Sequence, residues 1–206
     1  MKYLPLFLVL ILAFVLRIYG LNWDQGHHFH PDERAIIMSS LPIHFPSSLS
    51  EFLSPQSPLN PHFFAYGSLP MYLLKTVAVI LTPLYSLAAT YDNINLIGRF
   101  ISVEFDIGTL FVIFLLGKNL FSRQIGILGA FFYAISVFPI QAAHFYAVDT
   151  PLTFFILLTL YFLILFYEKP SKKKALFIGF LIGASLATKT SALVIIVAVG
   201  ATLLSE

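Results

Sequence analysis

Apolar residues run in long blocks broken by short polar or basic joints, at the length scale of bilayer crossings. A crossing needs about 20 predominantly apolar residues at ~1.5 Å each. Residues 4–21, 100–117, 125–147 and 151–167 meet or approach that length, and residues 175–204 form a last apolar region interrupted by Thr188-Lys189-Thr190. This region reads as two short helices, 175–187 and 191–204, meeting at Lys189. A lysine held mid-membrane in one long span is the costlier arrangement. Between the first two blocks lies a segment, 22–95, too rich in aromatic and aliphatic side chains to be a solvated linker. It is expected to lie against the membrane surface.

Topology follows from the basic residues. Lys2, Lys118 with Arg123, and Lys169 with Lys172, Lys173 and Lys174 mark cytoplasmic ends. Only an even number of crossings then fits between the first block and residue 100, so the apolar stretch 69–89, which contains Pro83, is predicted to be an interfacial helix rather than a span. The same parity puts the 22–95 loop, the joint around Asp149 and the break at Lys189 on one outer side. The prediction is an all-α integral membrane protein, multi-spanning, with a large first outer loop containing juxtamembrane helices.

Composition removes competing classes. Hydrophobic residues make up 58% of the 206 positions, charged residues 11%, and mean hydropathy is +0.87, outside the range of soluble domains. There is no cysteine, which excludes thiolate nucleophiles, thiolate metal sites and disulfides. The net charge of +2 comes from residues placed between apolar blocks, which suits topology signals and not a nucleic-acid surface.

Acid-base capacity collects on the predicted outer side, which holds all six histidines, including His44, His62 and His144. In His30-Pro31-Asp32-Glu33, Pro31 can open a short helix and place both carboxylates in its first turn, where the positive dipole end favours ionisation. Such a carboxylate can serve as a general base or merely as an acidic helix start. Asp149, before Thr150-Pro151, reads as a helix cap or as a second acid at the same site. Lys189, among small hydroxyl residues, suits a phosphate oxygen or a structural ion pair, and Arg17 and Arg99 carry the same two readings. Glu104 and Asp106 fall inside an apolar block and are expected to pair with Arg99, Arg17 or Lys75. His27, His28 and His30 with Asp32 and Glu33 offer divalent-cation ligands, but at no helix-face zinc spacing.

Taken in order, these motifs resemble the GT-C superfamily of lipid-phosphate-dependent glycosyltransferases, in particular glycosyltransferase family 39, which includes protein O-mannosyltransferases and aminoarabinose transferases. His30-Pro31-Asp32-Glu33 is similar to the family's Pro-Asp-Glu signature in the first outer loop. Tyr66-Gly67-Ser68-Leu69-Pro70 resembles the entry to its juxtamembrane helix, and Gly98-Arg99-Phe100 the start of its second span. Gly117-Lys118-Asn119 resembles the cytoplasmic turn, Ala147-Val148-Asp149-Thr150-Pro151 the second acidic motif, and Ala187-Thr188-Lys189 the phosphate-binding lysine.

The resemblance implies a GT-C type bundle of which this chain is the N-terminal part. It implies inverting transfer of a hexosyl or pentosyl group from a polyprenyl-phosphate sugar to a protein, lipid or glycan acceptor, on the extracytoplasmic face of the plasma membrane. Asp32 would be the catalytic base and Asp149 a catalytic partner; Glu33, Lys189, Arg99, His30 and Tyr66 would contact substrate. No cofactor is required, although a divalent cation fits the histidines. Where some family members carry a lysine before the juxtamembrane helix, this chain has Tyr66-Gly67-Ser68, with Tyr66 and His62 as weaker substitutes. A transporter or a non-catalytic membrane subunit of a glycan pathway is the alternative.

Overall fold

The computed structural model describes residues 3–204, with side chains through Gly200. Lys2, one of the topology markers, lies outside the described residues. The helices are α1 (Leu4–Ile18), α2 (Pro31–Ser40), α3 (Leu49–Phe52), α4 (Leu69–Leu81), α5 (Tyr91–Leu120), α6 (Arg123–Ile135), α7 (Val137–Ala143), α8 (Asp149–Glu168), α9 (Lys172–Thr188) and α10 (Ile195–Leu204). A 3₁₀ turn, Thr190–Val194, precedes α10. Among the described residues there is no strand, and the all-α architecture stands.

Side-chain caps define several helix starts. His30 Nδ1 accepts from the Glu33 amide, and the hydroxyls of Ser48, Ser122 and Ser171 accept from residues three positions on, opening α3, α6 and α9. Pro31 and Pro70 occupy first-turn positions of α2 and α4, where a missing N–H has no consequence.

Several boundaries differ from the apolar blocks. Helix α5 begins at Tyr91, nine residues before the expected span, and its 30 residues extend ~45 Å against ~30 Å of hydrocarbon. Its polar first turns, with Asp92, Asn93, Asn95 and Arg99, form a post at one end of the bundle. The expected span 125–147 is two helices bent by 62° at Ser136, whose ψ of 130° is extended. Helix α4 ends at Leu81, before Pro83, instead of continuing to residue 89. By length and composition α5 and α8 suffice to cross a bilayer, and α6 with α7 does so only as a bent pair.

Two cores divide the molecule. One gathers Leu6, Val9 and Ala13 of α1 with Leu110 and Phe114 of α5 and Ala130 and Ala134 of α6. The other joins α2 and α4 to the post, packing Ile36 and Ile37 of α2 and Met71 and Leu74 of α4 against Ile94, Ile101, Tyr146 and Val148. Lys75 ties the same helices by donating to the Leu41 carbonyl at 2.7 Å. At the opposite end of α5 and α8, Asn119 donates to Glu168 at 3.0 Å, so the two basic turns lie together, away from α2 and α4.

Inside the first core Arg17 pairs with Asp106 and donates to the Ala134 carbonyl at 3.0 Å, while the Tyr133 hydroxyl donates to Asp106 at 2.6 Å. Asp106 is thus paired as its position demanded. Glu104 is not: it is exposed on α5 and, among the described residues, makes no ion pair with Arg99, Arg17 or Lys75.

Candidate functional site

The loop after α1 turns back through the left-handed residues Gln25 (φ 52°) and Gly26 (φ 82°). This folds Asp24 under its own following backbone, where its oxygens accept from Gly26 N at 3.2 Å and Phe29 N at 3.3 Å. Arg99 reaches it from the α5 post. The guanidinium holds Asp24 through two N–H donors at 2.9 and 2.6 Å. It holds Glu33 through two more, also at 2.9 and 2.6 Å. It also donates to the Leu21 carbonyl at 2.9 Å. These bonds occupy all of the donors that a guanidinium has.

All three side chains of this clamp are fully buried. Glu33 also accepts from the Tyr146 amide at 3.0 Å, and the Tyr146 ring lies on Gly98 so closely that an added Cβ would meet its Cγ at 2.6 Å. Burial pushes the Asp24 carboxyl up, but the Arg99 bonds and charge outweigh it and bring it down to about 2. Two carboxylates against one guanidinium leave a negative surplus, which the three backbone amides and the N-terminus of α2 offset.

Three of the side chains expected at the substrate are bonded within the protein itself. Every N–H of Arg99 is engaged within the protein and Glu33 is fully buried, and the two side chains tie loop, α2 and α5 together. His30 is likewise committed as the α2 cap, with its ring stacked on Phe145 at 4.3 Å. The neighbouring histidines face other partners: His27 stacks on Phe29, and His28 is buried against Tyr91. Among the described residues no three His, Asp or Glu side chains converge to hold a metal.

Asp32 takes the other direction. It shares the first turn of α2 with Glu33 but remains partly exposed. Its carboxylate faces the Tyr66 hydroxyl, which is pushed up to about 12 by burial first and then by Asp32 and the charge of Asp149. Asp149, the first residue of α8, accepts from Lys189 Nζ at 3.0 Å, with side chains 60% and 32% exposed respectively. The Lys189 ammonium also stands 5.9 Å from the Tyr66 ring centroid. Lys189 itself is in extended conformation (φ −156°, ψ 131°) between α9 and the 3₁₀ turn.

A backbone stitch fixes Tyr66 against that joint. Gly67 N donates to the Thr188 carbonyl at 3.0 Å. Gly67 also passes so near the Ala187 carbonyl that a Cβ would lie 2.0 Å from its oxygen. Four separate segments therefore bring Asp32, Tyr66, Asp149 and Lys189 together at one end of the bundle. Asp24, Gly67 and Tyr146 escaped sequence reasoning as parts of this frame. The signal in the sequence was their nearness to positions already singled out: Asp24 three residues before His27, Gly67 next to Tyr66, and Tyr146 three residues before Asp149.

A family model described as dolichyl-phosphate-mannose-protein mannosyltransferase matches residues 92–206, more than half of the chain. The chain belongs to this family. It is accordingly a membrane glycosyltransferase, of a family that uses polyprenyl-phosphate sugar donors and protein acceptors. The match takes in Arg99, Asp149 and Lys189, whereas His30, Asp32, Glu33 and Tyr66 precede it. No curated protein and no solved structure matches the chain.

Proposed function

We propose that this glycosyltransferase moves a sugar, with inversion, from a polyprenyl phosphate to an acceptor hydroxyl on the extracytoplasmic face of the plasma membrane, and that Asp32 is the general base. The observation that carries this reading is the convergence of Asp32, Tyr66, Asp149 and Lys189 at the end of the bundle away from the basic turns.

In the proposed reaction Asp32 takes the proton of the acceptor hydroxyl as its oxygen bonds to the anomeric carbon. The bond from that carbon to the phosphate oxygen breaks on the opposite side, and its electron pair leaves with the polyprenyl phosphate. Lys189 supplies the positive charge for the departing phosphate. One of its N–H donors is engaged by Asp149 at 3.0 Å, which leaves two for phosphate oxygens. Asp149 orients Lys189, and Tyr66 donates toward Asp32 and walls the space between acid and cation. A phosphate leaving group needs little protonation, so a base and a fixed cation are sufficient. Base catalysis at this step is worth ~10²–10⁴ in rate.

The experiment is transfer of radiolabelled sugar by membranes containing the full-length protein, offered a panel of polyprenyl-phosphate sugars, with the anomeric configuration of the product determined. Transfer with inverted configuration that Asp32→Asn abolishes is expected. Retained configuration, or transfer indifferent to Asp32→Asn, contradicts the mechanism.

A further inference from the structure

The short joint between α7 and α8, residues 144–148, is bonded to the loop after α1, to α2 and to α5. Trp23 Nε1 donates to the His144 carbonyl at 3.3 Å, the Phe145 ring stacks on His30 at 4.3 Å, and Ser102 Oγ donates to the Phe145 carbonyl at 2.7 Å. Next in the chain is Tyr146, only 1% exposed. Asp149 then opens α8.

Tyr146 meets three helices through different parts of the residue. Its amide donates to Glu33 of α2 at 3.0 Å, its ring lies on Gly98 of α5, and its hydroxyl donates to the Pro70 carbonyl in the first turn of α4 at 2.7 Å. Burial pushes the phenol well above its ordinary value, so the hydroxyl remains a donor. The ring is rigid, and its seat on Gly98 keeps it from swinging. One side chain therefore sets the offset between the first turns of α2 and α4.

That offset reaches the candidate site, because Asp32 is the neighbour of Glu33 and Tyr66 lies four residues before Pro70. The apolar packing of Ile36 and Ile37 with Met71 and Leu74 holds α2 and α4 together but has no direction of its own. A hydrogen bond, confined in length and angle, fixes how far one helix slides along the other. Segment 66–70 has a second anchor in the Gly67 bond to Thr188. Tyr66 thus stands against two fixed points, one beside Lys189 and one on the joint that leads to Asp149. The Pro70 carbonyl also lies within α4 and has the Leu74 amide as its helical partner. Loss of the Tyr146 hydroxyl therefore strands no buried acceptor, and the bond serves position more than stability.

Resting on the Asp32 reading above, we infer that Tyr146 is a positioning residue for sugar transfer: its hydroxyl bond to Pro70 holds Tyr66 in register with Asp32, while Tyr146 itself is buried away from any substrate.

The test measures sugar transfer by the full-length protein in lipid nanodiscs, with a donor that supports Asp32-dependent transfer, for Tyr146→Phe, Tyr66→Phe, the two combined, and Tyr72→Phe. Tyr146→Phe keeps the ring and the amide and is expected to unfold like the wild type. Its kcat should fall about tenfold or more with KM unchanged, since a displacement of ~1 Å costs up to ~10²-fold. The double variant is expected to lose no more than Tyr66→Phe alone, the non-additivity of two residues acting through one contact. Tyr72→Phe removes a hydroxyl-to-carbonyl bond of the same kind, to Leu59 at 2.6 Å, that does not join α4 to the joint, and should keep kcat. Wild-type kcat in Tyr146→Phe, losses that multiply in the double variant, an equal loss in Tyr72→Phe, or failure of Tyr146→Phe to fold each overturns the positioning role while leaving the base assignment intact. Transfer indifferent to Asp32→Asn overturns both readings.

Discussion

Asp32 and Glu33 are chemically similar neighbours in one helical turn, yet they serve opposite regions of the molecule. Glu33 is buried in the clamp with Arg99 and Asp24, where every guanidinium donor is taken and backbone amides complete the set. Asp32 faces an open cluster in which Asp149 and Lys189 remain partly solvated and Lys189 retains free donors. Saturation marks the difference between frame and site. A buried charge fully bonded by its own protein has nothing to offer a substrate, whereas an exposed pair contributes only ~0–1 kcal/mol to stability and keeps its chemistry available.

The contrast is broken most severely at Arg99. Arg99→Ala leaves two buried carboxylates uncompensated and is expected to cost about 3–5 kcal/mol, measured as loss of folded protein in thermal unfolding of the purified protein in detergent. Arg99→Lys is expected to rescue little, since a single ammonium cannot reproduce the planar fork. A smaller effect on stability is expected from Gly67→Ala. The added methyl must push the loop off the Ala187 carbonyl, at about 1–3 kcal/mol, and because Tyr66 moves with it, transfer should fall more than unfolding alone explains.

The clamp also has an acid limit. Asp24 titrates lower in the folded protein, at about 2, than in an unfolded chain. Its contribution, on the order of 2 kcal/mol, is complete above about pH 4 and is lost as pH falls toward 2. Asp24→Asn should flatten the stability profile over that interval. The smallest stability change belongs to the open cluster: Lys189→Ala is expected to shift unfolding by less than about 1 kcal/mol while lowering transfer about a hundredfold. A large loss of stability in Lys189→Ala would place Lys189 in the frame instead.

Hydropathy revealed the helical class and, through the positions of Lys118, Arg123 and Lys169, the gathering of Asp32, Asp149 and Lys189 at one end. It did not show where α5 starts, because Asp92, Asn93, Asn95 and Arg99 interrupt the apolar pattern although the helix runs through them. Nor did it separate α6 from α7, since Ser136 is a single polar position between Phe131-Phe132-Tyr133-Ala134-Ile135 and Val137-Phe138, too slight an interruption to lower the hydropathy of the block. The differing roles of Asp32 and Glu33 were out of reach for a related reason. Residues one apart on a helix point about 100° from each other, and only the long-range position of the α5 post decides which of the two is buried. Glu104 and Asp106 repeat the lesson: one block of hydropathy contains both, but only Asp106 faces Arg17.

The most direct test of the division between site and frame is a comparison of Asp32→Asn with Glu33→Gln, measuring thermal unfolding and sugar transfer at equal amounts of folded full-length protein. The account predicts that Asp32→Asn unfolds like the wild type but loses ~10²–10⁴ of its transfer rate, while Glu33→Gln loses stability and its surviving folded fraction keeps most of its activity. Unimpaired transfer by Asp32→Asn, or a wild-type-stable Glu33→Gln that has lost transfer, would contradict it.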